Sequence, residues 1–264
     1  MKVTVFNGSP AGKESATNVI AEAFLRGAAA AGVQTRNIFL ADHKLEQCRG
    51  CFSCWFRTPG SCVIADDMDE LIQYYNESDI VCFGTPVYTW NMTALLKNFA
   101  DRLAPLKSPK LQERQGKFDL EDARKKTQKF VVLSNCGFPG EHNFDVLRAA
   151  MACCDPSLEI YRNCGKLLKT KDPQIKKTVD IWLAAVERAG KEFTESTQIV
   201  ACTHSVSDCT RSASACIRSV SACGCSADTA GIPADTVGIS AETAEALNMP
   251  LMSVAEYAAY LGMK

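Results

Sequence analysis

The sequence contains no long hydrophobic run: none of its apolar stretches approaches the roughly 20 residues that a membrane-spanning helix needs. It also lacks an excess of either charge, since 29 basic and 30 acidic residues leave a formal net charge of −1. No basic stretch interrupts that balance, which argues against nucleic-acid and membrane partners. No signal peptide precedes the first predicted strand, and we therefore expect a cytoplasmic protein.

Two familiar phosphate-binding motifs are missing as well. Only three residues separate Gly8 from Gly12, where the P-loop has four, and Glu14 follows Lys13 where that motif has Ser or Thr. Pro10 stands where the dinucleotide fingerprint has its second glycine. Both of these nucleotide-binding loops are therefore excluded.

The N-terminal segment instead combines a short apolar run, a tight loop rich in Gly and Ser, and a helix. The run covers residues 3–6, and the apolar residues after the loop recur at helical spacing: Ala16, Val19, Ile20, Ala23, Phe24 and Ala28. Loop hydroxyls and the free N–H groups at a helix start favour an anion. This pattern predicts a site for a monophosphate, although an ordinary turn between strand and helix remains the alternative.

Strands and helices alternate through the first 193 residues. We predict further strands at residues 34–40, 79–84, 129–134 and 158–162, helices at 66–76, 93–103, 143–153 and 173–193, and a polar excursion at 104–127. This alternation predicts an α/β fold, a doubly wound five-stranded parallel sheet with helices on both faces. Ligands of such sheets bind beyond the carboxyl ends of the strands, so the loops after the first, third and fourth strands should meet there.

Those three loops together suit one ligand. The first suits a phosphate, and the second offers Tyr88 and Trp90 as flat apolar faces. The third offers Gly137, where a backbone can approach a ligand closely, with Phe138 beside it. Flavin mononucleotide (FMN), with one phosphate and one planar ring, fits this set. Core packing or an interface remains the alternative for Tyr88 and Trp90.

The loops NGSPAGKESAT, TPVYTWNMTALLKNFADRL and NCGFPG resemble those of the flavodoxin-like, NAD(P)H-dependent FMN reductase family, over about residues 1–193. The resemblance implies a flavodoxin-like fold, bound FMN and NAD(P)H as co-substrate. It implies a phosphate site made by Ser9, Ser15, Ala16 and Thr17. It also implies a flavin ring lined by Pro86, Val87, Tyr88, Trp90, Asn91 and Met92, with Asn135, Gly137 and Phe138 on the other side.

Fourteen cysteines in a chain expected in a reducing compartment favour metal or thiol chemistry over disulfides. Cys48, Cys51 and Cys54 follow the spacing C-x2-C-x2-C, which lets one loop offer three thiolates to an iron–sulfur cluster, and Cys62 follows. This motif resembles that of the iron–sulfur flavoproteins, a branch of the same family, and implies a [4Fe–4S] cluster near FMN. A zinc site, a redox dithiol and cysteines packed simply as apolar groups remain alternatives.

A second group of cysteines lies in a repeat. Cys202, Cys209, Cys216 and Cys223 are seven residues apart within the units THSVSDC, TRSASAC and IRSVSAC. A coiled-coil seam has this period, but the seam would hold little besides cysteine, and Ser is a poor helix former. We interpret the segment as a low-complexity insert produced by repeat expansion, with metal storage as the alternative.

We therefore divide the chain into three parts: a flavodoxin-like FMN-binding domain at 1–198, the Cys/Ser/Ala heptad-repeat insert at 199–237 and a C-terminal helical tail at 238–264. The tail should contain helices at 241–247 and 253–261. An apolar stripe is expected to dock on a partner subunit of a homodimer or homotetramer: Leu251, Val254, Tyr257 and Leu261.

The predicted function is an FMN-dependent oxidoreductase that passes electrons from NAD(P)H through FMN to a quinone-like, azo or protein acceptor. We predict no side chain as acid or base, because His43, His142 and His204 have neither triad nor metal-site spacing. One alternative is an iron–sulfur flavoprotein that carries electrons between FMN and a cluster. Another is a non-catalytic flavodoxin-like module with a structural zinc.

Overall fold

Seven strands and eight α-helices lie within the residues that this computed structural model describes, namely 1–114, 116–124, 127–204 and 238–261. The strands are β1 (Lys2–Asn7), β2 (Gln34–Phe39), β3 (Ile80–Pro86), β4 (Lys107–Arg114), β5 (Lys117–Asp122), β6 (Lys129–Asn135) and β7 (Leu158–Arg162). The helices are α1 (Ala16–Ala30), α2 (Ser53–Phe56), α3 (Met68–Glu77), α4 (Ala94–Asp101), α5 (Asp145–Met151), α6 (Pro173–His204), α7 (Ala241–Asn248) and α8 (Val254–Tyr260). Among the described helices, none has both the length and the apolar character of a membrane span.

The main sheet has five strands in the order β2-β1-β3-β6-β7, and every neighbouring pair is parallel. After β1 the chain adds β2 on one side and then returns to place β3 on the other. The reversal of strand order therefore lies between β1 and β3, where ligands of doubly wound sheets bind. This arrangement confirms the predicted flavodoxin-like α/β fold.

Two apolar layers cover the sheet because successive strand residues point to opposite faces. On one face Val5 packs with Trp182 of α6, in a cluster that also includes α1. On the other face Phe6 packs with Phe99 of α4 and Leu147 of α5. Each fully buried apolar side chain of this kind stabilises the fold by about 1.5–3 kcal/mol. The two layers hold the strand ends, and thus the loops that follow them, in place.

Residues 104–127 were predicted as a polar excursion without strands, and this prediction is wrong in one respect. It contains β4 and β5, which form an antiparallel pair with Leu111 opposite Leu120. Two apolar side chains of this ribbon, Leu111 and Phe118, are each 73% exposed. Charged residues are tolerated on a ribbon with no buried face, so the alternation that marks a half-buried strand is absent.

The C-terminal segment packs on its own chain. Leu251 and Tyr257 are buried in the cluster that contains α1 and α6, and Leu261 packs against it. The predicted docking of this stripe on a partner subunit is therefore wrong for these three residues, because α6 already covers them. The side chain of Val254 lies outside the described part.

The domain boundaries stay a prediction. Helix α6 continues to His204 and thus passes the predicted boundary between residues 198 and 199. The rest of the predicted insert, including Cys209, Cys216 and Cys223, lies outside the described residues.

Candidate functional site

The loops after β1 and β3 are joined at the carboxyl edge of the sheet. The Gly8 amide donates to the carbonyl of Gly84 at 2.7 Å. The Thr93 hydroxyl donates to the Gly8 carbonyl at 2.7 Å and also caps α4 by accepting from the Leu96 amide at 3.2 Å. A Cβ on Gly8 would lie 2.5 Å from Cβ of Leu96, so only glycine lets α4 approach the first loop this closely.

The end of β6 joins both the second loop and α1. The Asn135 carbonyl accepts from the Val87 amide at 2.7 Å. The Asn135 side-chain amide donates to the Thr17 hydroxyl at 2.7 Å, and both groups are buried. The three sequence-predicted loops thus share one edge of the sheet.

The first loop turns through a single 3-10 turn, Gly12–Glu14, before α1 begins. Ser15 is the N-cap of α1: its hydroxyl accepts from the Asn18 amide at 3.0 Å and donates to the Gly12 carbonyl at 2.7 Å. The first amides of a helix have no intrahelical acceptor, and those of Ala16 and Thr17 have none elsewhere in the described part of the chain. Such amides favour an anion.

A basic side chain reaches this loop from a distant part of the chain. The ammonium group of Lys169, which follows β7, donates to the carbonyl of Glu14. It thereby brings positive charge next to the helix start. No local pattern could have identified this lysine, because 155 residues separate the two partners.

The second loop forms a two-residue turn, in which the Tyr88 and Asn91 backbones exchange hydrogen bonds of 2.9 and 3.1 Å. Thr89 and Trp90 occupy the left-handed region, with φ of 48° and 61°, which is uncommon for residues other than glycine. Tyr88 and Trp90 are 53% and 59% exposed. Neither ring is therefore packed in a core formed by the described residues.

The remaining predicted residues of the second loop are less exposed. Val87 and Met92 are partly buried against the apolar layer that contains Phe6. The Met92 amide donates to the Asn91 side-chain oxygen at 2.8 Å. Pro86 is the last residue of β3 and pairs with Asn135. These residues shape the base of the loop, below the two exposed rings.

The third loop is open on its outer side. A Cβ on Gly137 would meet no atom within 4 Å. Phe138 is 61% exposed, and its carbonyl accepts from the Cys136 thiol at 3.1 Å. Burial raises the pKa of Cys136 to about 11, so this thiol is protonated at neutral pH and is no nucleophile.

A buried donor without a partner lies at the end of β1. The side-chain oxygen of Asn7 accepts from the Ser9 amide at 3.0 Å, but its side-chain nitrogen has no acceptor within the described part of the chain. A buried unpaired donor costs about 1–3 kcal/mol. Asn7 therefore offers a hydrogen bond to a ligand or water beside the first loop.

The predicted metal ligands lie in one segment of the chain, but their side chains are not arranged around a common point. Cys48 and Cys51 are exposed, and Cys54 and Cys62 are half-buried. No three His, Cys, Asp or Glu side chains are arranged to hold a metal ion anywhere in the described ranges. Hydrogen bonds from the hydroxyl and the amide of Ser53 lower the pKa of Cys51. Burial and the neighbouring Cys62 raise the pKa of Cys54.

A buried ion pair lies beneath this cysteine loop. Arg102 donates two hydrogen bonds to Asp66, at 2.7 and 2.9 Å, and a third to the Glu46 carbonyl at 2.6 Å. The side chains are 1% and 0% exposed. Trp55, within the loop, donates its indole N–H to the carbonyl of Ala104 at 2.8 Å. Both ends of the cysteine loop are thus tied to α4 and the turn that follows it.

Residues 1–120 match the family model described as NADPH-dependent FMN reductase. This region belongs to that family. The match contains the first two loops and the cysteine motif, and it confirms the resemblance drawn from their sequences. We refer to residues 1–120 as the reductase-family region.

Sequence relatives of this chain include iron–sulfur flavoproteins. One, from Methanocaldococcus jannaschii, is 39% identical over 107 residues, which are 40% of this chain and 54% of that protein. The chain spans about half the length of the curated relatives it matches.

Solved structures share the fold at low sequence identity. An NAD(P)H:quinone oxidoreductase from Methanothermobacter marburgensis has a TM-score of 0.53 and 17% identity, covering 73% of this chain and 95% of that one. An FMN-dependent NADH-azoreductase from Bacillus anthracis, solved in complex with FMN, has a TM-score of 0.52 and 14% identity, covering 74% and 100%.

Four residues that lie beside the three loops were not predicted as site residues. Thr93 carried a local signal, since a threonine before an apolar helix is a typical N-cap. Asn7 ends a buried strand, but its unpaired nitrogen depends on the packing around it. Lys169, at the Glu14 carbonyl, and Tyr257, at the Gly137 carbonyl, reach the loops from outside the reductase-family region and have no sequence signal.

Proposed function

We propose that this chain is an FMN-dependent oxidoreductase that takes electrons from NAD(P)H and passes them to a quinone-like or protein acceptor. The observation that carries the proposal is the meeting of the three loops at the carboxyl edge of the sheet, joined by the hydrogen bonds of Thr93 to Gly8 and of Asn135 to Thr17. The relation of residues 1–120 to the reductase family supports it.

The first loop would hold the phosphate of FMN through Ser9, Ser15, Ala16 and Thr17. The Ala16 and Thr17 amides are free for this role, and the Ser15 proton could turn from the Gly12 carbonyl to a phosphate oxygen while Ser15 still caps α1. The ammonium of Lys169, at the Glu14 carbonyl, adds charge that favours a dianion.

The other two loops would hold the ring. Pro86, Val87, Asn91 and Met92 form the base of the second loop, and Tyr88 and Trp90 extend from it. Asn135, Gly137 and Phe138 would cover the other side, where the open space at Gly137 leaves room for a planar group. When bound, FMN supplies the hydride and electron transfer, and the chain supplies binding, orientation and exclusion of water.

Purified protein tests this proposal directly. We expect it to bind FMN and, without oxygen, to bleach that FMN on addition of NADPH or NADH. Gly137→Val should lower the FMN affinity about tenfold or more, because its side chain occupies the open space. Ala149→Val, at an exposed position of α5, is the control and should bind FMN as the wild type does. A wild type that ignores added FMN would contradict the proposal.

A second candidate function is an electron carrier with a [4Fe–4S] cluster bound by Cys48, Cys51, Cys54 and Cys62. The C-x2-C-x2-C spacing, in a chain whose sequence relatives include iron–sulfur flavoproteins, favours it. The four thiols fit such a cluster in their chemistry, and the loop would have to bring their sulfurs together on loading. The hydrogen bonds from Ser53 to Cys51 suit a thiolate ligand.

Metal analysis of protein purified without oxygen separates the two functions. For the carrier we expect about four irons per chain, lost in Cys51→Ser. Cys153→Ser changes an exposed cysteine outside the motif and should keep the iron. Zinc in place of iron would favour a structural metal site, and the absence of either metal would leave only the FMN function.

A further inference from the structure

Among the described residues, the C-terminal segment makes one polar contact with the third loop. The Tyr257 hydroxyl, from α8, donates to the Gly137 carbonyl at 2.6 Å across 120 residues of sequence. The ring is 1% exposed, so the hydrogen bond forms at the edge of the core. Helix α8 is held at its start by a capping box between Ser253 and Glu256.

Other contacts fix the C-terminal segment independently of that hydroxyl. Arg162 donates to the Met249 carbonyl at 2.8 Å, and the Trp182 indole donates to the Leu247 carbonyl at 2.9 Å. The Tyr257 ring itself lies in the apolar cluster. Removal of the hydroxyl alone should therefore leave α8 in place.

The contact sets the orientation of one peptide unit. Because a peptide unit is planar and its C=O and N–H point in opposite directions, the Phe138 N–H points away from Tyr257. That N–H has no acceptor within the residues that the structure describes. The Phe138 carbonyl is held separately, by the Cys164 amide at 3.3 Å. The free N–H therefore lies in the loop predicted to cover the flavin ring.

We propose that Tyr257 is a positioning residue of the FMN site: its hydroxyl holds the Gly137 carbonyl, so that the Phe138 N–H is offered to the flavin ring. This inference rests on the proposed FMN function. It assigns a part of the site to the C-terminal segment, outside the reductase-family region. Burial raises the pKa of Tyr257 to about 12, so the hydroxyl keeps its proton at neutral pH.

The test compares Tyr257→Phe with Tyr260→Phe in the full chain. Tyr260 stacks on Tyr257, is exposed, and has no hydrogen bond to a loop in the described part of the chain, so it is a matched control. We expect Tyr257→Phe to weaken FMN binding about three- to tenfold, as for loss of one hydrogen bond. Fluorescence titration of FMN into apo-protein measures this, and melting curves check that both variants fold.

The reduction potential of FMN at saturating concentration is the second readout. An N–H donor to the ring stabilises the added negative charge of the reduced form, so Tyr257→Phe should make the potential more negative, while Tyr260→Phe should not. Equal affinity and potential in Tyr257→Phe and wild type would overturn the role of Tyr257 alone. A wild type that binds no FMN would overturn the proposed function, and this role with it.

Discussion

Gly27→Ala should destabilise the protein by about 3 kcal/mol, although alanine is the better helix former by about 1 kcal/mol. Gly27 lies in α1, where α1 crosses α6. A Cβ on Gly27 would lie 1.8 Å from the backbone oxygen of Glu187. Since that atom belongs to the main chain, no change of rotamer relieves the overlap, and the two helices must separate.

Each of the two helices contributes a glycine to this close contact, so the helices cannot pack at this distance in another way. A Cβ on Gly190 of α6 would lie 2.2 Å from the backbone oxygen of Phe24 in α1. Each helix thus has a glycine where the other helix's carbonyl comes closest. Because α1 begins at the first loop, its displacement should also weaken FMN binding.

Urea or thermal unfolding of the apo-protein measures the effect, with a fall in Tm of about 6–12 °C expected for a chain of this size. Gly137→Ala adds the same methyl group where no atom lies within 4 Å and should leave the unfolding free energy unchanged within about 0.5 kcal/mol. A Gly27→Ala variant as stable as wild type would show that the helices lie further apart than the structure places them.

Local sequence predicted the five strands of the main sheet and the three loops because each had a local cause. Strand β3 is buried on both faces and is therefore apolar throughout, and Ser15 and Thr93 precede apolar helical stretches as N-caps do. The loop residues stood out because glycine, proline and aromatic residues follow directly on such strands.

The features that the sequence could not predict are contacts between residues that lie far apart in the chain. Nothing around Tyr257 indicates that its hydroxyl lies at Gly137, and its apolar neighbours suggested a subunit interface instead. A glycine inside a helix ordinarily weakens it, whereas Gly27 is required by the close approach of α6. Charged residues such as Arg102 and Asp66 are typical of protein surfaces. The sequence around neither residue therefore indicates that the two are buried against each other.

Arg102→Met should cost about 3–5 kcal/mol at neutral pH. The guanidinium and the Asp66 carboxylate are 1% and 0% exposed. Removal of the arginine leaves the carboxylate buried, with hydrogen bonds only from the amides of Glu46 and Met68. It also removes the bond to the Glu46 carbonyl, which ties down the start of the cysteine loop. If the chain carries the proposed cluster, a variant that still folds should also bind less iron.

The pH dependence distinguishes this cause from a simple loss of packing. In the wild type, burial alone would raise the pKa of Asp66, but hydrogen bonds from Arg102 and the two amides lower it below its ordinary value. That stabilisation is present above the unfolded pKa and is lost only as pH falls through the folded one, below about pH 4. In Arg102→Met the pKa of Asp66 should rise, because burial is no longer opposed by a cation.

The variant should therefore regain stability relative to wild type as pH falls from about 7 towards about 5, where its Asp66 takes up a proton. Urea unfolding at both pH values measures this. Asp66→Asn in the Arg102→Met background should restore part of the loss at neutral pH, because no buried charge remains. Lys97→Met, which breaks an exposed pair with Asp101 on the same helix, should cost less than about 1 kcal/mol at either pH. If the gap between Arg102→Met and wild type were the same at both pH values, the uncompensated carboxylate would not be its cause, and lost packing of the arginine side chain would explain it.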